Sequence, residues 1–233
     1  MILIILIIAA MLGVVLNFIS YFIAVEDFVG EEAAQGMKLP EIVMFAVNRI
    51  KNEKNFLILI STITIIVYIS LYLKFGFIYE FYKYGFLFAI LIISSIIDVK
   101  TRSVYLIISI VGIIGGVVFS TINIFDGADV VTEMLSVLIP ILILGFLKIV
   151  SRKFDGLGGG DIEVFIFIAL YMSIVGTGLD LFIALIIGGI ISGISLAKGN
   201  KSRYIPFVPY ISLATFITVM FGNDIILGYI NVV

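Results

Sequence analysis

The sequence predicts an all-α integral membrane protein, a bundle of about eight transmembrane helices. Two observations of composition and one of pattern carry that prediction. Of the 233 residues, 62% are hydrophobic and only 13% are charged, whereas soluble domains hold about 45–50% apolar and about 25% charged residues. Apolar runs also recur along the whole chain, and a spanning helix needs roughly 20 such residues. Eight runs approach that measure, at 2–25, 56–73, 78–98, 104–124, 131–149, 161–177, 179–197 and 205–222. No internal repeat or second folded domain is evident, so residues 1–233 read as a single membrane-embedded domain.

The first run opens as MILIILIIAAMLGVVLNF. It has no basic leader and no small-residue cleavage site, which predicts a retained span. The polar segment 26–54 follows, with a loop in its first half. From Pro40, EIVMFAVNRIKN predicts a short interfacial helix, with the proline near its start. The second and third runs are separated only by Lys74-Phe-Gly-Phe77, and Tyr79, Glu80, Tyr82, Lys83 and Tyr84 suit the membrane interface.

Basic residues set the orientation. With the N-terminus outside, the inner segments hold Lys38, Arg49, Lys51, Lys54, Lys100, Arg102, Lys148, Arg152, Lys153, Lys198, Lys201 and Arg203. The outer segments hold only Lys74 and Lys83, so the positive-inside rule puts 26–54 in the cytosol of a multi-pass protein of the cytoplasmic membrane. The outer connections 125–130 and 177–180 contain no Lys or Arg.

Composition also excludes chemistry. There is no Cys and no His, which removes thiol nucleophiles, a Ser-His-Asp triad and a His-based metal site. The net charge of −2 argues against a nucleic-acid partner. Catalysis would have to come from carboxylates, Ser/Thr, Tyr, Lys or backbone.

Most acids fall in predicted loops, among them Asp27, Glu53 and Asp180, and solvated loop charges are the expectation there. Asp98 and Asp161 differ. Asp98 ends the apolar run FLFAILIISSII, and Asp161 opens IEVFIFIAL. In the topology above both stand at cytosolic helix ends, hence at one depth. A charge snorkelling to water is the plain explanation of either one. The glycines ahead of Asp161, in Phe154-Asp-Gly-Leu-Gly-Gly-Gly-Asp161, argue for more. Glycine costs a helix about 1 kcal/mol per position, but it admits close backbone approach where a side chain would block a neighbouring helix or an extended substrate.

Two carboxylates sharing a site meet the requirement for water-activated proteolysis. One takes a proton from water while the other, protonated, polarises the scissile carbonyl, and mutual repulsion separates their titrations. The helix macrodipole favours the anion at Asp161, on a helix N-terminus, and disfavours it at Asp98, in a last turn. Asp161 is therefore the expected base and Asp98 the protonated partner.

These residues also carry a resemblance. Gly158-Gly-Gly160-Asp161 resembles the GxGD motif of membrane aspartyl proteases, and Asp98-Val-Lys-Thr-Arg102 resembles the first-aspartate motif of prepilin and preflagellin peptidases. Ile205-Pro-Phe-Val-Pro-Tyr-Ile-Ser-Leu-Ala214 is similar to the proline-containing segment of that type IV leader peptidase family, and Gly13-Val-Val-Leu-Asn-Phe-Ile-Ser-Tyr21 to its N-terminal pattern. The matches occur in the family's order. The resemblance implies catalytic Asp98 and Asp161, motif glycines Gly158 and Gly160, and site-shaping or substrate-facing roles for Lys100, Arg102, Glu163, Pro206 and Pro209. It implies cleavage of basic leaders from pilin-like or archaellin-like precursors at the cytosolic face of the bilayer. No metal or organic cofactor is required.

Departures qualify it. Many members carry a cysteine-paired cytosolic domain and methylate the new N-terminus, whereas the segment 26–54 lacks Cys and implies peptidase activity only. Glu163 stands where many members have Lys, and Ser-Val-Tyr-Leu occupies the place of a downstream proline. Two alternatives remain open: a presenilin-like or signal-peptide-peptidase-like intramembrane protease, and a non-enzymatic ion or proton transporter. Small-residue faces at Gly112, Gly115 and Gly116 and at Gly189-Ile-Ile-Ser-Gly193 predict close helix packing within the chain.

Overall fold

The computed structural model describes residues 2–151, 159–198 and 205–230. Those residues form eleven helices and no strand, packed as two compact units, Met1–Tyr105 and Leu106–Val233. Six helices are long and apolar enough to cross a membrane. The helical membrane bundle read from the sequence is therefore present.

The first unit holds α1 (Ile2–Ile23), α2 (Val25–Val29), α3 (Glu31–Gly36), α4 (Leu39–Asn52), α5 (Lys54–Phe75) and α6 (Tyr79–Thr101). α1, α5 and α6 are its spans. α1 meets α5 closely at Gly13, where an added Cβ would lie 2.7 Å from the Ser61 backbone. The turn between α5 and α6 passes through Gly76 at φ 66, a left-handed conformation that favours glycine. Tyr68 donates across this hairpin to the Gly85 carbonyl, 2.7 Å away. The expected interfacial helix is α4, with Pro40 in its first turn and the Glu41 carboxylate accepting the Lys38 N–H at 2.8 Å. The first half of 26–54 is more ordered than expected, forming the short helices α2 and α3.

The second unit holds α7 (Leu106–Phe125), α8 (Val130–Ser151), α9 (Gly159–Ala169), α10 (Ile174–Ala197) and α11 (Val208–Ile230). α7, α10 and α11 supply its spans. α8 is also 22 residues long and includes the apolar stretch Val130–Ile143. α9, with 11 residues, rises about 16 Å, half of a hydrocarbon core about 30 Å thick.

The break after α9 also differs from expectation. It falls at Leu170–Ser173, not at 177–180. The Thr177 N–H bonds the Ser173 carbonyl at 2.8 Å and α10 continues through Gly176 and Gly178. Asp180 is thereby moved from a solvated connection into a helix, where it is fully buried. Hydropathy alone does not separate a buried helix from a spanning one.

Packing in the second unit depends on absent side chains. α7 presents Gly112 and Gly116 to α9: a Cβ on Gly112 would lie 2.9 Å from the Phe167 ring, and one on Gly116 2.5 Å from Leu170 Cβ. The close packing expected at Gly112 and Gly116 is present inside the chain. Gly189 and Gly193 have nothing within 4 Å, and it is Gly188 that receives a neighbour, the Phe207 ring.

Candidate active site

Asp98 lies in the last turn of α6 and is buried, 5% exposed. The helix closes just beyond it. Arg102 adopts a left-handed conformation, φ 58, and donates its N–H to the Asp98 carbonyl at 2.9 Å, the arrangement that usually places glycine after a helix. Thr101 Oγ1 reaches back to the Ile97 carbonyl and pairs with Ser103 Oγ at 2.6 Å.

Two acids from the polar segment 26–54 hold this end of α6. Glu53, between α4 and α5, forms an ion pair with Lys100 and accepts the Tyr21 hydroxyl at 2.9 Å, with Arg49 3.9 Å from its other oxygen. The Lys100 ammonium also sits over the Phe56 ring. Burial alone would raise the Glu53 carboxyl. The hydrogen bonds from Lys100 and Tyr21, with the charges of Lys100 and Arg49, outweigh it and hold Glu53 below the usual carboxylate range. Asp27 accepts from both Ser103 (3.1 Å) and Tyr105 (2.8 Å). Burial first, then this bond and the Asp27 charge, push the Tyr105 phenol up.

Glu53 and Asp27 were both expected to be solvated loop charges; Glu53 is instead partly buried in an ion pair, whereas Asp27 is exposed but accepts two hydrogen bonds. Their partners are distant in sequence, 47 positions for Glu53 and Lys100. Lys100 is thus paired with Glu53. Arg102 has an exposed side chain and contributes through its backbone.

Asp161 lies in the first turn of α9, the helix N-terminus expected for it, and Gly160 precedes it in the same turn. Gly158 lies outside the described residues. α9 is fixed on one side by α7: Ser109 donates to Glu163 at 2.9 Å, Phe167 and Leu170 fill the notch over Gly112 and Gly116, and Tyr171 donates to the Gly112 carbonyl at 2.9 Å. Asp161 precedes Glu163 by two residues, about 200° around the helix, so it stands on the face turned from α7. That face continues through Val164, Phe165 and Ile168, all buried. Glu163 was expected at the rim facing a leader; in the structure its carboxylate fastens α9 to α7.

The proline segment starts α11. Ile205–Phe207 precedes the helix without regular structure, as Pro206 favours, and Pro209 takes a first-turn position where its missing N–H is harmless. Phe207 fills the space above Gly188 of α10. Both prolines therefore shape the α10–α11 connection. Among the described residues no group of acids is suited to hold a metal ion.

Asp98, with its basic followers on a closed helix end, and Asp161, behind glycine at a helix start, fall within one matched stretch. Residues 85–193 match the type IV leader peptidase family. The matched stretch begins in α6, ends in α10, takes in Asp98, Lys100, Arg102, Asp161 and Glu163, and amounts to just under half of the chain. The match agrees with the resemblance drawn from the two aspartate motifs and supports a leader-peptidase-like protease in general. The first span and Ile205–Ala214 lie outside it. No curated protein and no solved structure gave a match.

Proposed function

We propose that the chain is a membrane aspartic endopeptidase that removes short basic leaders from type IV pilin-like or archaellin-like precursors at the cytosolic face of the cytoplasmic membrane. The whole chain works as one peptidase domain. The observation that carries this reading is the family match, which spans both Asp98 and Asp161. The helix-end positions of the two acids, in the last turn of α6 and the first turn of α9, support the division of labour.

Asp161, its anion favoured by the N-terminus of α9, takes a proton from water as the water oxygen attacks the scissile carbonyl carbon. Asp98, protonated, donates to the carbonyl oxygen as it gains charge. Collapse of the tetrahedral intermediate breaks the C–N bond. The departing amine takes the proton held by Asp161, and Asp98 recovers its own as the new carboxyl forms. No cofactor enters, because water is the nucleophile.

The test is cleavage of a panel of leader-bearing precursors by detergent-solubilised protein. Asp98→Asn and Asp161→Asn should each abolish cleavage while leaving expression and membrane insertion intact, since an amide performs neither proton role. Near wild-type turnover in either variant would remove that residue from the chemistry.

A further inference from the structure

A second buried acid lies away from Asp98 and Asp161. Asp180, on α10, is 0% exposed, and α11 faces it with Thr215, also 0% exposed. Thr215 Oγ1 is 3.0 Å from Asp180 Oδ2 and 2.9 Å from the Ile211 carbonyl. The two helices run antiparallel, since Asp180 meets Thr215 and Gly188 meets Phe207. That register brings Thr177 of α10 level with Thr218 of α11, one turn from the acid. Both threonines are buried, at 0% and 5% exposure. Four oxygen-bearing side chains thus gather inside an otherwise apolar helix pair.

Two of their atoms have no hydrogen-bond partner among the described residues: Asp180 Oδ1 and Thr218 Oγ1. Thr218 forgoes the bond to the carbonyl four residues back that Thr215 and Ser212 make on the same helix. A buried carboxylate needs a compensating positive charge. Neither α10 nor α11 contains a Lys or Arg, and neither does α9, which packs on both; α8, which also packs on α10, has its one basic residue, Lys148, in its last turn. A proton on Oδ1 would neutralise Asp180 but could engage one acceptor at most. A cation satisfies the charge and gathers the oxygens together. Carboxylate and hydroxyl oxygens are ligands for hard cations, and one carboxylate matches one positive charge.

We propose that Asp180, Thr177, Thr215 and Thr218 form a binding site for one small monovalent cation between α10 and α11. Asp180 supplies the charge, Thr218 and Thr215 supply hydroxyl oxygens from α11, and Thr177, whose own proton goes to the Ser173 carbonyl, keeps lone pairs to offer from α10. The ion links the two helices. The proposal is independent of the peptidase reading, since it involves neither Asp98 nor Asp161.

The probe is sodium, applied to the full chain in detergent micelles. A ligand that binds only the folded state raises the unfolding temperature with its concentration. The melting temperature should rise with NaCl and not with choline chloride of equal ionic strength, and dialysis against radioactive sodium should saturate at one ion per chain. Asp180→Asn should abolish the sodium-specific rise. Thr218→Val, close in shape, should raise the half-saturating sodium concentration by about tenfold, as expected when one ligand worth roughly 1.4 kcal/mol is lost. Should Asp180→Asn fail to fold, the wild-type salt comparison and Thr218→Val decide between them. Equal response to sodium and choline, or a sodium response retained in Asp180→Asn, overturns the proposal and leaves Asp180 a neutral, structural acid.

Discussion

Gly116→Ala is the smallest change that tests how α9 is held. The new methyl would lie 2.5 Å from Leu170 Cβ and 3.0 Å from Tyr171 Cε2. The first of these atoms is next to the backbone, so it moves only if the end of α9 moves. Overpacking of this kind costs about 1–3 kcal/mol. Displacing Tyr171 also strains its 2.9 Å bond to the Gly112 carbonyl, worth about 1 kcal/mol. Replacing a mid-helix glycine by alanine returns roughly 0.5–1 kcal/mol, leaving a net loss of about 1–3 kcal/mol, or up to roughly a hundredfold in the unfolding constant. Gly189→Ala is the control, because nothing lies within 4 Å of that position, and it should stabilise slightly. The chain has 11 Tyr and no Trp, so unfolding can be followed by tyrosine fluorescence or circular dichroism in micelles. If Gly116→Ala proved as stable as Gly189→Ala, the close packing of α7 on α9 would be wrong.

Three further outcomes follow from the same contacts. Glu53→Gln should lower stability by about 1 kcal/mol, a value discounted for its partial exposure. Because the folded carboxyl is held down, that contribution is full above the ordinary glutamate range and lost as pH falls through the depressed value; melting of both proteins across pH 3–8 should therefore converge only in acid. Arg102→Gly should leave the melting temperature unchanged or raise it, since the left-handed conformation costs a non-glycine residue about 1 kcal/mol; a clear fall would give the Arg102 side chain a structural role. Glu163→Gln keeps an acceptor for Ser109 but removes the charge, so steady-state kinetics with basic leaders separate two roles: a raised KM at unchanged kcat marks leader recognition, and unchanged kinetics leave Glu163 as a fastener of α9.

The legible part of this fold is what periodicity and composition encode. Six long apolar runs became helices of spanning length, and Asp98 and Asp161 stand at the helix ends where the edges of those runs put them. The 159–197 region was less legible, because an 11-residue buried helix and a spanning helix present the same hydropathy. What separates them is tertiary: Gly112 and Gly116 form a notch that only α9 fills, and no local pattern announces which helix will fill it. Asp180 was misplaced for the same reason, since the Ser173–Thr177 bond carries the helix through the connection expected at 177–180. Glu53 and Asp27 were illegible in a different sense. A carboxylate in a polar segment looks solvated unless its partner, dozens of residues away, is known.

The Glu53–Lys100 pair bears directly on the proposed reaction. Lys100 follows Asp98 by two residues, and a free ammonium there would favour the Asp98 anion, whereas the mechanism needs that acid protonated. It would also repel a basic leader; two like charges about 8 Å apart near a protein surface cost roughly 2 kcal/mol. Glu53 cancels much of both effects by holding the ammonium to itself and over the Phe56 ring. Tyr21 completes the arrangement from α1 by donating to the same carboxylate oxygen. The polar segment between α1 and α5, with no paired cysteines to form a separate domain, thus acts on the end of α6 through single side chains. Loss of Glu53 should accordingly change the kinetics as well as the stability: Glu53→Gln should raise KM for basic leaders and shift the alkaline limb of the kcat profile to lower pH, as Lys100 regains its influence on Asp98. Lys100→Met in the same background should reverse both changes. An unaltered pH profile in Glu53→Gln would confine the pair to holding the helix end.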